Sequence, residues 1–380
     1  MKVLIAIDSF KGSLTSREAG MAAAEGIKRA YPEAQCEVLT VADGGEGTVA
    51  TLMTALHGQT VTVKVSDPLG RRTECSYGIT PDGTALMEMS SAAGITLLKK
   101  EELNPMKTTT YGVGEMIKDA IERGCRRFLM GIGGSATNDG GAGMLQALGF
   151  SLFDEKGKDI SFGAEGLSSL HSISEAGVMK ELSECYFRIA CDVTNPLCGE
   201  NGCSAVFGPQ KGATPETVNK MDSYLLRFAE KTKKIRPLSD KDFPGTGAAG
   251  GLGFAFKAYL DAELLSGIDL ILEEIHIEEK IKDADIVITG EGRIDSQTVM
   301  GKAPGGVAEK AKKHGKPVLA FSGAVTKDAV FCNEKGIDAF FPIVRGITTL
   351  EKAMEREAAY ANMADSAEQV FRLIKSVEGI

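Results

Sequence analysis

VLIAIDSFKGS (residues 3–13) and IVITGEGRID (residues 286–295) decide the fold. Each begins with an apolar run long enough for one strand, Val3 to Ile7 and Ile286 to Thr289, and each then stops at a polar, glycine-containing stretch. A continuous rather than alternating apolar run marks a parallel strand covered on both faces. A helix is predicted after each. Thr15 or Ser16 can cap the first, whose apolar face carries Ala19, Ala22, Ala23, Ile27 and Ala30 before Pro32 stops it, and Pro304 opens the second.

Working outward, Val38 to Val41 predicts a second strand, followed by ADGGEG (42–47) and a helix ending at Gly58. Towards the other end, Val318 to Phe321 and Ala339 to Val344 predict two more strands, and residues 349–376 a long final helix. The rhythm between them differs. Residues 61–90 alternate apolar and polar positions around DPLG (67–70) and PDG (81–83), which reads as antiparallel hairpins. The expected fold is therefore α/β: if the five strands at the two ends of the chain form one parallel sheet, of order 2-1-3-4-5, residues 1–60 and 284–380 make one domain and 61–283 a second, mixed α/β domain inserted into it.

Composition narrows the function. Acidic residues outnumber basic ones 52 to 43, with no basic run that could track a nucleic-acid backbone. No apolar stretch is long enough to cross a bilayer, and Asp8 interrupts the N-terminal run, so neither a membrane span nor a signal peptide is expected. Eight cysteines without a CxxC pair read as reduced thiols of a cytoplasmic protein. Glycine is in surplus, 45 of 380 residues, against a usual share of about 7%. The surplus sits in a few loops, which raises the question of what approaches the backbone there.

In an open parallel sheet, ligands bind beyond the carboxyl ends of the strands where strand order reverses. That rule gathers DSFKGS (8–13), ADGGEG (42–47) and GEGRID (290–295) at one cleft. Asp8, Lys11, Asp43, Glu46, Glu291, Arg293 and Asp295 suit phosphate oxygens and a magnesium ion, although Asp8 and Asp43 could equally cap helices. GGSATNDGGAG (133–143) joins a strand to a helix. Gly133, Gly134, Ser135, Thr137, Asn138 and Asp139 can cradle an anion there, or the glycines can serve only tight packing. Asp192 in CDVTNPL (191–197) is either a base for a substrate hydroxyl or the start of a turn before Pro196. Lys211 in FGPQKGA (207–213) is a candidate anion partner. Walker, HRD and DFG motifs are missing, and the GxGxxG match at Gly245, Gly247 and Gly250 follows the polar KDFP (241–244), where no strand is expected. The four histidines lie away from these loops and receive no role.

Taken together, DSFKGSLTS, ADGGEGT, GGSATNDGGAG, ACDVTNPLCG, FGPQKGA, GAAGGLG and TGEGRIDSQTVMGKAP resemble the bacterial glycerate kinase family over nearly the whole chain. The family's usual opening is IAPDSFKGS, and here Ile7 follows Ala6, beside the polar set rather than within it. The resemblance implies ATP-dependent phosphorylation of D-glycerate, usually to 2-phosphoglycerate, in glycolate or sugar-acid breakdown, and a flavodoxin-like domain interrupted by a second α/β domain, with the active site between them. Carried onto this chain, it gives Asp192, Lys11 and Arg293 catalytic roles. Gly133, Gly134, Ser135, Thr137, Asn138 and Asp139 become the nucleotide loop, Asp8, Ser9, Lys211 and Glu291 bind substrate, and Asp43 and Asp295 hold Mg²⁺. ATP and glycerate are the expected partners, without nucleic acid or membrane, and a homodimer is left open. A kinase for another hydroxy acid, a 3-phosphoglycerate-forming enzyme and a non-catalytic sugar-acid sensor are the alternatives.

Overall fold

The computed structural model describes residues 1–42 and 48–378 and divides the chain into two compact units, Met1–Thr51 with Ile268–Ile380, and Leu52–Gly267. The first unit is built on a five-stranded, wholly parallel sheet. Its order is Ala339–Pro342, Val318–Val325, Ile286–Ile294, Lys2–Ile7, Gln35–Thr40, which in chain numbering is 2-1-3-4-5 read from the other edge. Val3, Leu4, Ile5, Ala6 and Ile7 are all buried, as a central strand covered on both faces requires.

The helix Ser16–Ala30 begins where the sequence indicates. Thr15 Oγ1 accepts from Glu18 N at 3.3 Å and Glu18 Oε2 accepts from Thr15 N at 2.9 Å, a capping box that satisfies two otherwise orphaned donors. Its alanine face packs with the helix Arg356–Glu378 on one side of the sheet. Contact is close enough that a Cβ on Gly26 would lie 1.9 Å from the Ala364 carbonyl oxygen. The final helical stretch is divided at Glu355 into Leu350–Met354 and Arg356–Glu378, because Glu355 adopts ψ 129°.

Two expectations change here. GEGRID is not a loop: the strand runs on to Ile294, pairing Glu291 with Ser322 and Arg293 with Ala324. The first strand ends its ladder at Ile7 opposite Gly290 and turns away at Asp8, so residues 291–294 continue with a partner on one side only. The unit boundaries also fall at 51/52 and 267/268 rather than 60/61 and 283/284. The strand Gln59–Ser66 pairs with Arg72–Ile79 in the second unit, while Ile268 and Leu272 pack beneath the helix Ala303–Lys313, where Gly306 makes room for them.

In the second unit a six-stranded sheet has the order Glu263–Leu265, Tyr186–Ala190, Arg127–Gly131, Thr84–Glu88, Arg72–Ile79, Gln59–Ser66. The first four are parallel neighbours and the last three antiparallel ones, which accounts for the hairpin signal over 61–90. The glycine-rich loop follows Arg127–Gly131 and CDVTNPL follows its parallel neighbour Tyr186–Ala190, so both leave the carboxyl edge of one sheet.

The segment 245–253 supports both loops. Ala249, Gly250 and Gly251 are left-handed in succession, with φ of 52°, 67° and 91°. That knuckle brings the Gly250 carbonyl to Gly140 N at 2.9 Å, while Gly247 N donates to Asn195 O at 2.9 Å. A Cβ on Gly250 would lie 2.0 Å from the Thr137 oxygen, which is why glycine stands there. Among the described residues, no helix is long and apolar enough to cross a membrane.

Candidate active site

At the carboxyl edge of the five-stranded sheet, a cavity of about 390 Å³ is lined by Asp8, Ser9, Lys11, Glu291, Arg293 and Asp295. Six of the eight charged or polar positions that the motifs of this unit proposed therefore meet in one place. Asp43 and Glu46 lie outside the described residues. Asp8 is buried where the first strand turns, with Ser9 N donating to its Oδ1 at 2.6 Å. Lys11 is exposed, and Arg293 is 67% exposed, with Nε 3.6 Å from Asp295 Oδ2. Asp295 also caps the turn Ser296–Val299, accepting from Gln297 N at 2.9 Å.

Sequence reasoning missed Lys302 and Ser13. Lys302 Nζ donates to Glu291 Oε2 at 3.1 Å, from the cap position of the helix Ala303–Lys313. A signal existed, since a lysine is unfavourable at the positive end of a helix unless something negative faces it. Glu291 Oε1 and Ser13 Oγ are both shielded from solvent without a hydrogen-bond partner. The rest of the lining is apolar: Phe10, Ile343, Val344, Leu350 and Met354 form most of it.

The glycine-rich loop of the second unit is tied from inside. Asp139 is fully buried and accepts from Thr110 N (2.8 Å), Thr110 Oγ1 (2.9 Å), Gly141 N (3.1 Å) and Gly143 N (3.2 Å). Burial raises its pKa against the pull of those donors. Asn138 Nδ2 donates to Ser204 Oγ at 2.8 Å, and Thr108 Oγ1 to the Ala136 carbonyl at 2.8 Å. Lys211 is 1% exposed and donates to Ser135 Oγ at 2.6 Å and Thr137 O at 2.7 Å, and burial pushes its pKa down to about 8.

Asp139 and Lys211 hold the loop from behind, because a carboxylate and an ammonium removed from water must be satisfied by the loop's own donors and acceptors. Gly133, by contrast, has no neighbour within 4 Å of a built Cβ, and Gly134 is left-handed at φ 71°. What the loop can offer an anion is backbone N–H groups. Asp192 is exposed at the end of its strand, with Oδ1 accepting from Gly267 N at 2.8 Å, so its carboxylate is oriented at the start of the helix Gly267–Glu274.

A wholly parallel sheet in one unit and a mixed sheet in the other, each with charged or glycine-rich segments at the carboxyl ends of its parallel strands, are the framework of an α/β protein whose loops suit small ligands. The glycerate kinase family profile matches residues 3–375, and the chain belongs to that family of kinases. Among its relatives, the glycerate 2-kinase of Escherichia coli K12 is 46% identical over 97% of both chains. The glycerate kinase of Bacillus subtilis 168 is 47% identical over 95% of this chain and 94% of its own. The crystal structure reported for glycerate kinase 2 from Salmonella typhimurium LT2 superposes with a TM-score of 0.89, at 44% identity and full coverage of both chains.

Proposed function

We propose that the protein transfers the γ-phosphoryl group of ATP to D-glycerate at the 2-hydroxyl, giving 2-phosphoglycerate in glycolate or sugar-acid breakdown. The observation that carries this reading is the family match over 3–375, with relatives named glycerate kinase along nearly the entire chain. In the transfer, the glycerate oxygen forms a bond to the γ-phosphorus, the bond from phosphorus to the ADP oxygen breaks, and the hydroxyl proton passes to a carboxylate. Asp192 takes that role, since its hydrogen bond with Gly267 N fixes its direction and a base must be aimed before it can act. Lys11 and Arg293, both solvent-facing cations, neutralise charge on the transferring group.

Gly133 and Gly134 present backbone N–H groups to phosphate, with Ser135, Thr137 and Asn138 setting the loop's shape and Asp139 and Lys211 fixing it from beneath. Asp8 and Ser9 act on the acceptor side. Mg²⁺ needs only one or two protein carboxylates when phosphate and water complete its shell, and Asp295, with Asp43 outside the described residues, fits that demand. Among the described residues no group of three His, Cys, Asp or Glu side chains is placed to hold a metal ion. When bound, it would offset charge on the phosphate oxygens. The acidic net charge favours a cytoplasmic, small-molecule enzyme without nucleic-acid or membrane partners.

A coupled ADP-release assay with glycerate tests the reaction, and phosphorus NMR of the product tests the position. Absence of turnover would reject the substrate; a 3-phosphoglycerate signal would reassign the hydroxyl.

A further inference from the structure

We infer that the cavity at the carboxyl edge of the five-stranded sheet is the nucleoside pocket for the phosphoryl donor, with the purine against Ile343, Val344, Leu350 and Met354 and the ribose hydroxyls on Glu291 and Ser13. Size comes first. At about 390 Å³ the cavity lies within the range of roughly 300–1,000 Å³ that encloses drug-sized ligands, and a three-carbon acid would fill a small part of it.

Its chemistry is divided. One side carries Asp8, Lys11, Glu291, Arg293 and Lys302, and the other is apolar. A short hydroxy acid has no use for an apolar wall; a purine does. Leu350 lines this wall yet is 76% exposed, an apolar surface with nothing of this unit over it.

The polar side supplies the second observation. Glu291 is nine-tenths buried, and of its two oxygens Oε2 accepts from Lys302 while Oε1 has no donor. Ser13 Oγ, in the same lining, also has no partner. Unpaired buried acceptors are costly. Because the terminal torsion of a glutamate turns readily, its carboxylate can present either oxygen to an arriving hydroxyl while keeping Lys302. An acidic side chain from a strand at the carboxyl edge of a parallel sheet, taking a ribose hydroxyl beside an apolar base site, is sound chemistry for a nucleoside. Glu291 thereby moves from the acceptor substrate, where the motif alone placed it, to the sugar of the donor.

This inference rests on ATP being the donor, and it is tested by binding rather than turnover. Calorimetry on the full-length protein would compare ATP, 2′,3′-dideoxyATP and inorganic tripolyphosphate. For the wild type, loss of the ribose hydroxyls should weaken binding about tenfold, the equivalent of one to two hydrogen bonds. In Glu291→Gln that difference should shrink to about twofold. Met354→Ala should weaken ATP about fivefold and leave tripolyphosphate unchanged.

Equal affinities of the wild type for ATP and the dideoxy analogue would overturn the ribose assignment with no variant involved. An unchanged ATP affinity in Met354→Ala, or a loss of glycerate binding instead, would overturn the base assignment. ATP binding of this pattern without any phosphorylation of glycerate would sink the substrate reading and leave the pocket standing. Glycerate turnover with none of the three differences would do the reverse.

Discussion

The cavity of the first unit and the glycine-rich loop of the second hold their charged groups in opposite ways. Around the cavity, Lys11 and Arg293 face solvent and two shielded oxygens, Ser13 Oγ and Glu291 Oε1, are without partners. In the loop, Asp139 accepts four bonds of 3.2 Å or less, and Lys211 spends its ammonium on Ser135 and Thr137. The first region leaves charged side chains at the cavity rim and towards solvent. The second ties its charged side chains, Asp139 and Lys211, into its own backbone, although Thr137 Oγ1 and Asn138 Oδ1 are shielded without a partner there as well. Charged residues beside a glycine-rich motif can thus be engaged by the loop itself, and burial separates the two cases where residue type does not.

The strongest way to break this contrast is Asp192→Asn. If the oriented carboxylate serves the acceptor hydroxyl, kcat should fall about 10²–10⁴-fold while the melting temperature stays near the wild-type value. A kcat within a factor of a few would return Asp192 to a purely structural position at Gly267.

Gly250→Ala comes next. Left-handed strain and a Cβ 2.0 Å from the Thr137 oxygen should together cost about 2–5 kcal/mol in denaturant unfolding, with activity lost in step as the loop is displaced. A stable, fully active variant would show that the knuckle does not set the loop.

Asp139→Asn sharpens the distinction between holding and touching. Weakened bonds to Thr110, Gly141 and Gly143 should lower stability by about 1–3 kcal/mol. In protein that remains folded, the KM for glycerate should be little changed. A KM effect without a stability loss would put the carboxylate in contact with substrate.

Lys211 adds an effect that depends on pH. Its folded pKa, about 8, lies below its ordinary 10.5, so between those values the unfolded chain holds more protons than the folded one. Stability should therefore rise with pH across that window through this group. Lys211→Met should lack that rise, so the difference between the two proteins in urea midpoints should grow steadily from about pH 8 upward. A constant difference would mean that the ammonium does not titrate there.

Legibility in the sequence followed the range of the force involved. Helix caps such as Thr15 and Glu18, and the continuous apolar runs Val3 to Ile7 and Ile286 to Thr289, are local in chain or periodicity, and they were readable from neighbouring residues. Residue type alone ends the strand Ile286–Ile294 at Thr289, because glycine and charge ordinarily stop a strand; pairing with Val318–Val325 carries it through. Lys302 at a helix start does not by itself name its partner, because its value lies in facing Glu291 across a fold. The periodicity of the final helical stretch is continuous, and nothing in it betrays the break at Glu355.

By itself the sequence determined the two strand–loop–helix rhythms, the interruption between them and which segments carry polar chemistry, because side-chain periodicity and backbone freedom are properties of residue type. Only the tertiary structure decided which of those polar groups remain available. Burial is a joint property of distant segments: it buried Asp139 and Lys211 within the loop they hold, and left Glu291 Oε1 and Ser13 Oγ without partners beside an apolar wall.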